Sequence, residues 1–182
     1  MKATGIVRRI DDLGRIVIPK EIRRTMRIRE GDPMEIFTSR EGEILLKKYS
    51  PVGELGEFAL AVAESISQTL GELVCVTDRD YVIAAVGNGK KEYEGRSLDE
   101  EMQNAIDQRT NKVFSGDKSA CLKITPEDER GYERQAVATI LSNGDSIGAI
   151  VVLSKEGSQT QEETLLQIVK AAAGFLGKHM EQ

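Results

Sequence analysis

Apolar residues recur along this chain in two rhythms, alternation and a three-to-four spacing, and the change of rhythm marks its elements. Residues 6–10 and 15–18 are β-branched runs split by Asp11-Asp12-Leu13-Gly14, a polar turn ending in glycine, which predicts a hairpin. Pro19 follows where the first turn of a helix tolerates it, because its missing N–H has no intrahelical partner to lose. A short helix is therefore expected from Pro19 to about Arg27. Residues 34–38 and 43–48 then flank Ser39-Arg40-Glu41-Gly42 as a second hairpin.

Residues 49–54, Tyr-Ser-Pro-Val-Gly-Glu, read as a short connector, dividing the chain into domains 1–52 and 53–182. Beyond it Leu55, Phe58, Ala59, Val62, Ala63, Ile66 and Leu70 recur at helical spacing. Residues 73–77 and 81–86 form a strand pair about Asp78-Arg79-Asp80, and a helix is expected over 98–108. Two long apolar runs, 135–141 and 147–153, enclose Ser142-Asn143-Gly144-Asp145; Asn-Gly between such runs is a strong hairpin signal. A last helix over 159–180 presents Leu165, Ile168, Val169, Ala172 and Leu176 as one stripe. Helix, two strands, helix, irregular segment, two long strands and terminal helix make an α+β domain, an antiparallel sheet covered by helices.

Charge changes the picture of the first half. Up to Ser50 there are 12 Lys+Arg against 8 Asp+Glu, and thereafter 13 against 22, so an overall charge of −5 conceals a basic head on an acidic body. At roughly 100° per residue, Lys20, Arg23, Arg24 and Arg27 share one helix face, and Ile22 and Met26 lie opposite. Like charges so spaced cost a helix a few tenths of a kcal/mol per pair, roughly. Arg8, Arg9 and Arg15 on the preceding hairpin enlarge the cluster, and arginine suits planar recognition of phosphate and guanine edges. The candidate DNA-binding residues are Arg8, Arg9, Arg15, Lys20, Arg23 and Arg24. A head of about fifty residues without a disulfide or metal buries too little surface to be comfortable alone, and dimerisation through its strands is the expected remedy.

The rest of the composition is that of a globular protein, 40% apolar and 30% charged. Charges soon after Met1 argue against a secretory signal, no window reaches membrane-spanning length, and Cys75 and Cys121 lack metal-ligand spacing; a cytoplasmic protein with no membrane partner, metal or cofactor is expected.

Gly5-Ile6-Val7-Arg8-Arg9-Ile10-Asp11-Asp12-Leu13-Gly14-Arg15-Ile16-Val17-Ile18-Pro19-Lys20-Glu21-Ile22-Arg23-Arg24, continuing through Glu30-Gly31-Asp32 and Glu35-Ile36 to Leu46-Lys47-Lys48-Tyr49, resembles the DNA-binding domain of the AbrB family of transition-state regulators. The resemblance implies a swapped-hairpin β-barrel, an intertwined homodimer, with Arg8, Arg15, Arg23 and Arg24 facing double-stranded DNA and Arg9 where the family also has a cation. It implies transcription control, as activator or repressor, of sporulation-type genes. The second domain resembles a GAF domain in layout and in Asn143-Gly144-Asp145-Ser146-Ile147-Gly148-Ala149, which implies dimerisation through flanking helices and an unidentified small-molecule effector. Asn111-Lys112 and Phe114 fit the cyclic-nucleotide type, but Lys118 and Ser119 stand where its acidic pair falls, so cyclic-nucleotide binding is not expected. Pairing of helices 55–70 and 159–180 between subunits would join two dimers into a homotetramer.

Other apparent motifs have simpler readings. Gly87-Asn88-Gly89-Lys90-Lys91 lacks the spacing of a phosphate loop and reads as a polar loop. Asp99-Glu100-Glu101 reads as a helix start and Glu127-Asp128-Glu129 as a solvated loop; His179 is expected frayed and exposed, and both cysteines are expected in the core. No nucleophile-base pair or complete nucleotide loop suggests an enzyme. An antitoxin-like protein-binding module is the alternative, since antitoxins use similar swapped-hairpin heads, with tails that are usually short and disordered, whereas this chain continues as a periodic, folded domain.

Overall fold

The computed structural model describes residues 5–54, 56–116, 118–129, 131–155, 157–158 and 160–181, without the side chains of Glu54 and Lys118. Leu55 and Gln159, each placed at the start of a predicted helix, lie outside the described residues. The chain divides into two compact units, Met1–Tyr49 and Ser50–Gln182, slightly before the predicted boundary. The connector joins the second unit because the Ser50 hydroxyl donates to the Asp78 carboxylate at 2.7 Å and accepts the Gly53 N–H at 3.0 Å, while Val52 is buried in the core.

In the first unit, α1 (Lys20–Thr25) follows Pro19, which caps the helix rather than opening it. The hairpin β1 (Met34–Thr38) and β2 (Ile44–Lys48) pairs antiparallel from Met34↔Lys48 to Thr38↔Ile44. The Lys48 ammonium lies 2.9 Å from the Asp32 carboxylate and donates to the Arg27 carbonyl at 3.0 Å, tying the end of β2 to the stretch after α1. The first predicted hairpin differs. Its turn is present, but residues 6–10 and 15–18 form no ladder among the described residues. An isolated two-stranded ribbon is marginal in water, and Pro19 is the one buried residue described in 5–49; the β1–β2 ribbon has in addition the ties of Lys48 to Asp32 and Arg27.

The second unit places α2 (Pro51–Glu54) and α3 (Gly56–Leu70) before β3 (Leu73–Thr77) and β4 (Val82–Val86). Then come α4 (Glu100–Asp107), β5 (Asn111–Ser115), β6 (Arg134–Ser142), β7 (Asp145–Ser154) and α5 (Glu162–His179). All pairings in its sheet, ordered β4-β3-β7-β6-β5, are antiparallel. Along β7, Ile150 and Val152 face the layer of α3 and α5, whereas Ala149, Val151 and Leu153 face the layer of α4 and the loops around it. Burial on both sides explains why the central strands read as unbroken apolar runs. Strand β5 is an addition to the expected elements; its predominantly exposed edge position leaves no apolar rhythm to detect.

Candidate nucleic-acid interface

The cations of the first unit are presented by a turn and a short helix. In the turn, the Gly14 N–H donates to the Asp11 carbonyl and the Asp11 N–H to the Arg15 carbonyl, both at 3.1 Å, with Gly14 at φ 77. Asp11 Oδ1 accepts the N–H groups of Leu13 at 3.0 Å and Arg15 at 2.7 Å, and Oδ2 lies 2.7 Å from Arg15 Nε. These bonds from Arg15 and Leu13 hold the Asp11 carboxyl below the usual carboxylate range. Arg8, Arg9, Arg15, Lys20, Arg23 and Arg24 are all exposed. Among the described residues, Arg15 is the member of the six that a carboxylate holds.

Helix α1 ends sooner than the wheel assumed, and Arg27 is therefore corrected out of its basic face. Met26 is the C-cap, Arg27 takes the left-handed conformation at φ 51, and the N–H groups of Arg27 and Ile28 return to the carbonyls of Arg24 and Arg23. That double closure terminates the helix and turns the chain away. Lys20, Arg23 and Arg24 remain on α1.

The same unit has an open apolar cleft lined by Ile6, Ile16, Ile18, Ile22, Met34 and Leu46, among others, with Arg8 the cation in its wall. Val7 is 87% exposed, Val17 73% and Ile36 69%. A single copy of this unit leaves much of its apolar surface in water.

The second unit carries a buried polar group that sequence reasoning missed. Tyr93 donates to Asp128 Oδ1 at 3.2 Å, Asp128 Oδ2 accepts the Ile124 N–H at 3.1 Å, and the Tyr132 ring lies 6.4 Å from that of Tyr93. Asp128 thus anchors the loop rather than standing in solvent as its acidic neighbours suggested. Burial, reinforced by Asp128, pushes up the Cys75 thiol and the Tyr93 hydroxyl. Both cysteines are buried, as expected. The signal for this group was absent because Tyr93 lies 35 positions before Asp128 and the two meet only in the folded chain. His179 also departs from expectation: it ends α5 half-buried, its ring 4.5 Å from Phe58 and 6.1 Å from Phe175. The rings of Phe58 on α3 and Phe175 on α5, both themselves exposed, pack on it and hold it against fraying. Asn111 and Lys112 make local contacts, with the Arg109 carbonyl and the Phe114 ring respectively. No group of three or more His, Cys, Asp or Glu that could hold a metal occurs among the described residues, and no helix of the described residues is long and apolar enough to cross a membrane.

Residues 54–181 match the family described as "Stage V sporulation protein T C-terminal, transcription factor". Over its whole length the chain is 52% identical to stage V sporulation protein T of Bacillus subtilis, covering all of that protein. The chain belongs to the stage V sporulation protein T family. It is a transcription regulator of the sporulation class, and its head is 59% identical over 51 residues to the transition state regulatory protein AbrB of Bacillus subtilis, 28% of this chain and 52% of that protein. Residues 7–54 also match the MazE bacterial antitoxin family. The second unit shares its fold with the cofactor-binding GAF domain of the nutrient sensor CodY from Clostridium difficile, at a TM-score of 0.51 and 19% identity, over 66% of this chain and 83% of that one. Membership in the stage V sporulation protein T family thus joins an AbrB-like head to a GAF-like body, the two parts expected.

Proposed function

We propose that two copies of the first unit interlock their strands into one swapped-hairpin barrel, and that Arg8, Arg9, Arg15, Lys20, Arg23 and Arg24 of each copy face double-stranded DNA. The exposed apolar cleft carries this reading, because a second copy supplies the missing strands and covers the surface that one chain leaves wet. Arg8, Arg15, Arg23 and Arg24 lie along phosphates and reach into a groove, while Arg9 and Lys20 add to the attracting field. With only short helices to offer, the barrel reads DNA shape as much as base edges, giving degenerate preference for A/T-rich sites. The domains act as 1–52 for DNA and 53–182 for assembly, in the cytoplasm, by binding rather than catalysis. Changing Arg15 or Arg23 to Ala weakens duplex binding by about 1–3 kcal/mol in a titration against salt; unchanged affinity and salt slope for both variants overturn the face.

Two such dimers join through α3 and α5 into a tetramer. Phe58, Leu60 and Phe175 support this, as exposed apolar side chains on the two helices. Phe175→Glu, at a position 53% exposed, halves the mass of the intact chain in light scattering; an unchanged tetramer or a wild-type dimer contradicts the pairing. The small-molecule effector expected of a GAF-like body registers in the same measurement as a mass change on its addition. The antitoxin match favours a second reading, in which the head serves a toxin-binding chain. Against it stands the body, a five-stranded sheet with helices rather than a tail.

A further inference from the structure

We infer that Asp11 is a positioning residue for DNA recognition, whose carboxylate clamps Arg15 so that its guanidinium meets the duplex already oriented. The inference rests on the proposed DNA face and deepens it. Its basis is an internal comparison between the two hairpin turns of the first unit. In the second turn the Ser39 N–H donates to the Glu43 carbonyl at 3.0 Å and the Gly42 N–H to the Ser39 carbonyl at 3.2 Å, with Gly42 at φ 81. Ser39 Oγ accepts the N–H groups of Glu41 at 3.3 Å and Glu43 at 3.2 Å. Position by position this is the bonding of the Asp11 turn, where Asp11 Oδ1 accepts from Leu13 and Arg15 and Gly14 closes the turn. One acceptor oxygen is therefore sufficient for the turn.

Asp11 has a second, and that oxygen lies 2.7 Å from Arg15 Nε. The Ser39 turn has Glu43 in place of the arginine and a hydroxyl in place of the carboxylate, so the surplus oxygen and the cation occur together. Engaging Nε leaves the two terminal nitrogens of the exposed guanidinium for a further partner, the fork that fits phosphate or a guanine edge. The Arg15 side chain is 70% exposed and that of Asp11 37%. An ion pair so exposed contributes little to stability, and a carboxylate beside a DNA-facing arginine repels phosphate. What it supplies is order: a free arginine loses rotamer freedom when it binds, and one already clamped has lost it beforehand. Because the hydrogen bonds from Arg15 hold the Asp11 carboxyl below the usual carboxylate range, the clamp is complete at neutral and mildly acidic pH and opens only as pH falls through the lowered value. Because the pair is formed within residues 11–15 of one turn, it needs no partner chain.

The test uses the intact chain and one A/T-rich duplex of about 30 base pairs, titrated with wild type, Asp11→Ser, Asp11→Asn, Arg15→Ala and the Asp11→Ser/Arg15→Ala double variant. Serine keeps the turn, on the precedent of Ser39, and asparagine keeps an acceptor of the same shape; both remove the charged clamp and one negative charge. Bulk electrostatics alone makes either variant bind more tightly. Positioning makes each bind about five-fold or more weakly, and reverses the sign in the Arg15→Ala background, where losing the carboxylate leaves binding equal or tighter. Single variants that bind as tightly as wild type or tighter, or that weaken binding equally with and without Arg15, overturn the inference while an Arg15→Ala loss keeps the DNA face standing. If Arg15→Ala itself changes nothing, the underlying face is what fails.

Discussion

At the scale of single residues, local chemistry decided more than residue type. Arg27 carries the same charge as Arg24, yet it sits in the left-handed cap that ends α1, so helical spacing alone grouped it wrongly with Arg23 and Arg24. The wheel assumes continuation, and nothing in the spacing marks the stop. His179 shows the converse: terminal position suggested fraying, while Phe58 and Phe175, far apart in the chain, pack on its ring. Cys75 was legible because an apolar strand hides whatever it contains. Burial and the nearby Asp128 keep its thiol protonated, so the reactive thiolate is scarce at any ordinary pH. Native protein at pH 8 is expected to leave Cys75 unlabelled by an aromatic disulfide reagent until denaturant is added; rapid stoichiometric labelling of Cys75 in the folded state contradicts that burial.

At the scale of elements, the legible parts were those whose turns and rhythm are local. The β6–β7 hairpin announced itself through Asn143-Gly144, which take φ 48 and 85, and the stripe of α5 through Leu165, Val169 and Leu176. Strand β5 was not legible, since an edge strand of Asn-Lys-Val-Phe-Ser has one partner and little apolar content. Residues 6–10 and 15–18 were readable as β-formers, but they form no ladder among the described residues. Packing of α5 on β6 imposes a further condition that no periodicity reveals: a Cβ on Gly177 would overlap the Leu141 carbonyl, whereas one on Gly174, on the same helix, meets nothing. Gly177→Ala is expected to destabilise by about 1–3 kcal/mol through forced separation of helix and sheet. Gly174→Ala is expected to be neutral or to stabilise by up to about 1 kcal/mol. Denaturant unfolding of the two variants checks the contrast, and equal effects contradict the close approach.

At the scale of the whole molecule, charge and burial divide the chain in the same place. The basic first unit has a candidate binding face but almost no core, and the acidic second unit has two core layers, one on each face of its sheet. Such a division makes sense when the head is completed by another copy and the body brings copies together. The candidate face was legible because arginines opposite Ile22 need no tertiary knowledge to be grouped; the clamp on Arg15 was not, because aspartate, arginine and glycine at those spacings describe an ordinary turn as well. The central claim is that the head binds duplex DNA as a two-fold unit. Its most direct test is the dependence of log Kobs on log salt for the isolated effect of Arg23→Ala in the intact chain. Each phosphate contact contributes about 0.9 to the slope, so a two-fold head that loses Arg23 from both copies has a slope shallower by about 2; an unchanged slope contradicts the face, and a loss of about 1 contradicts the dimer.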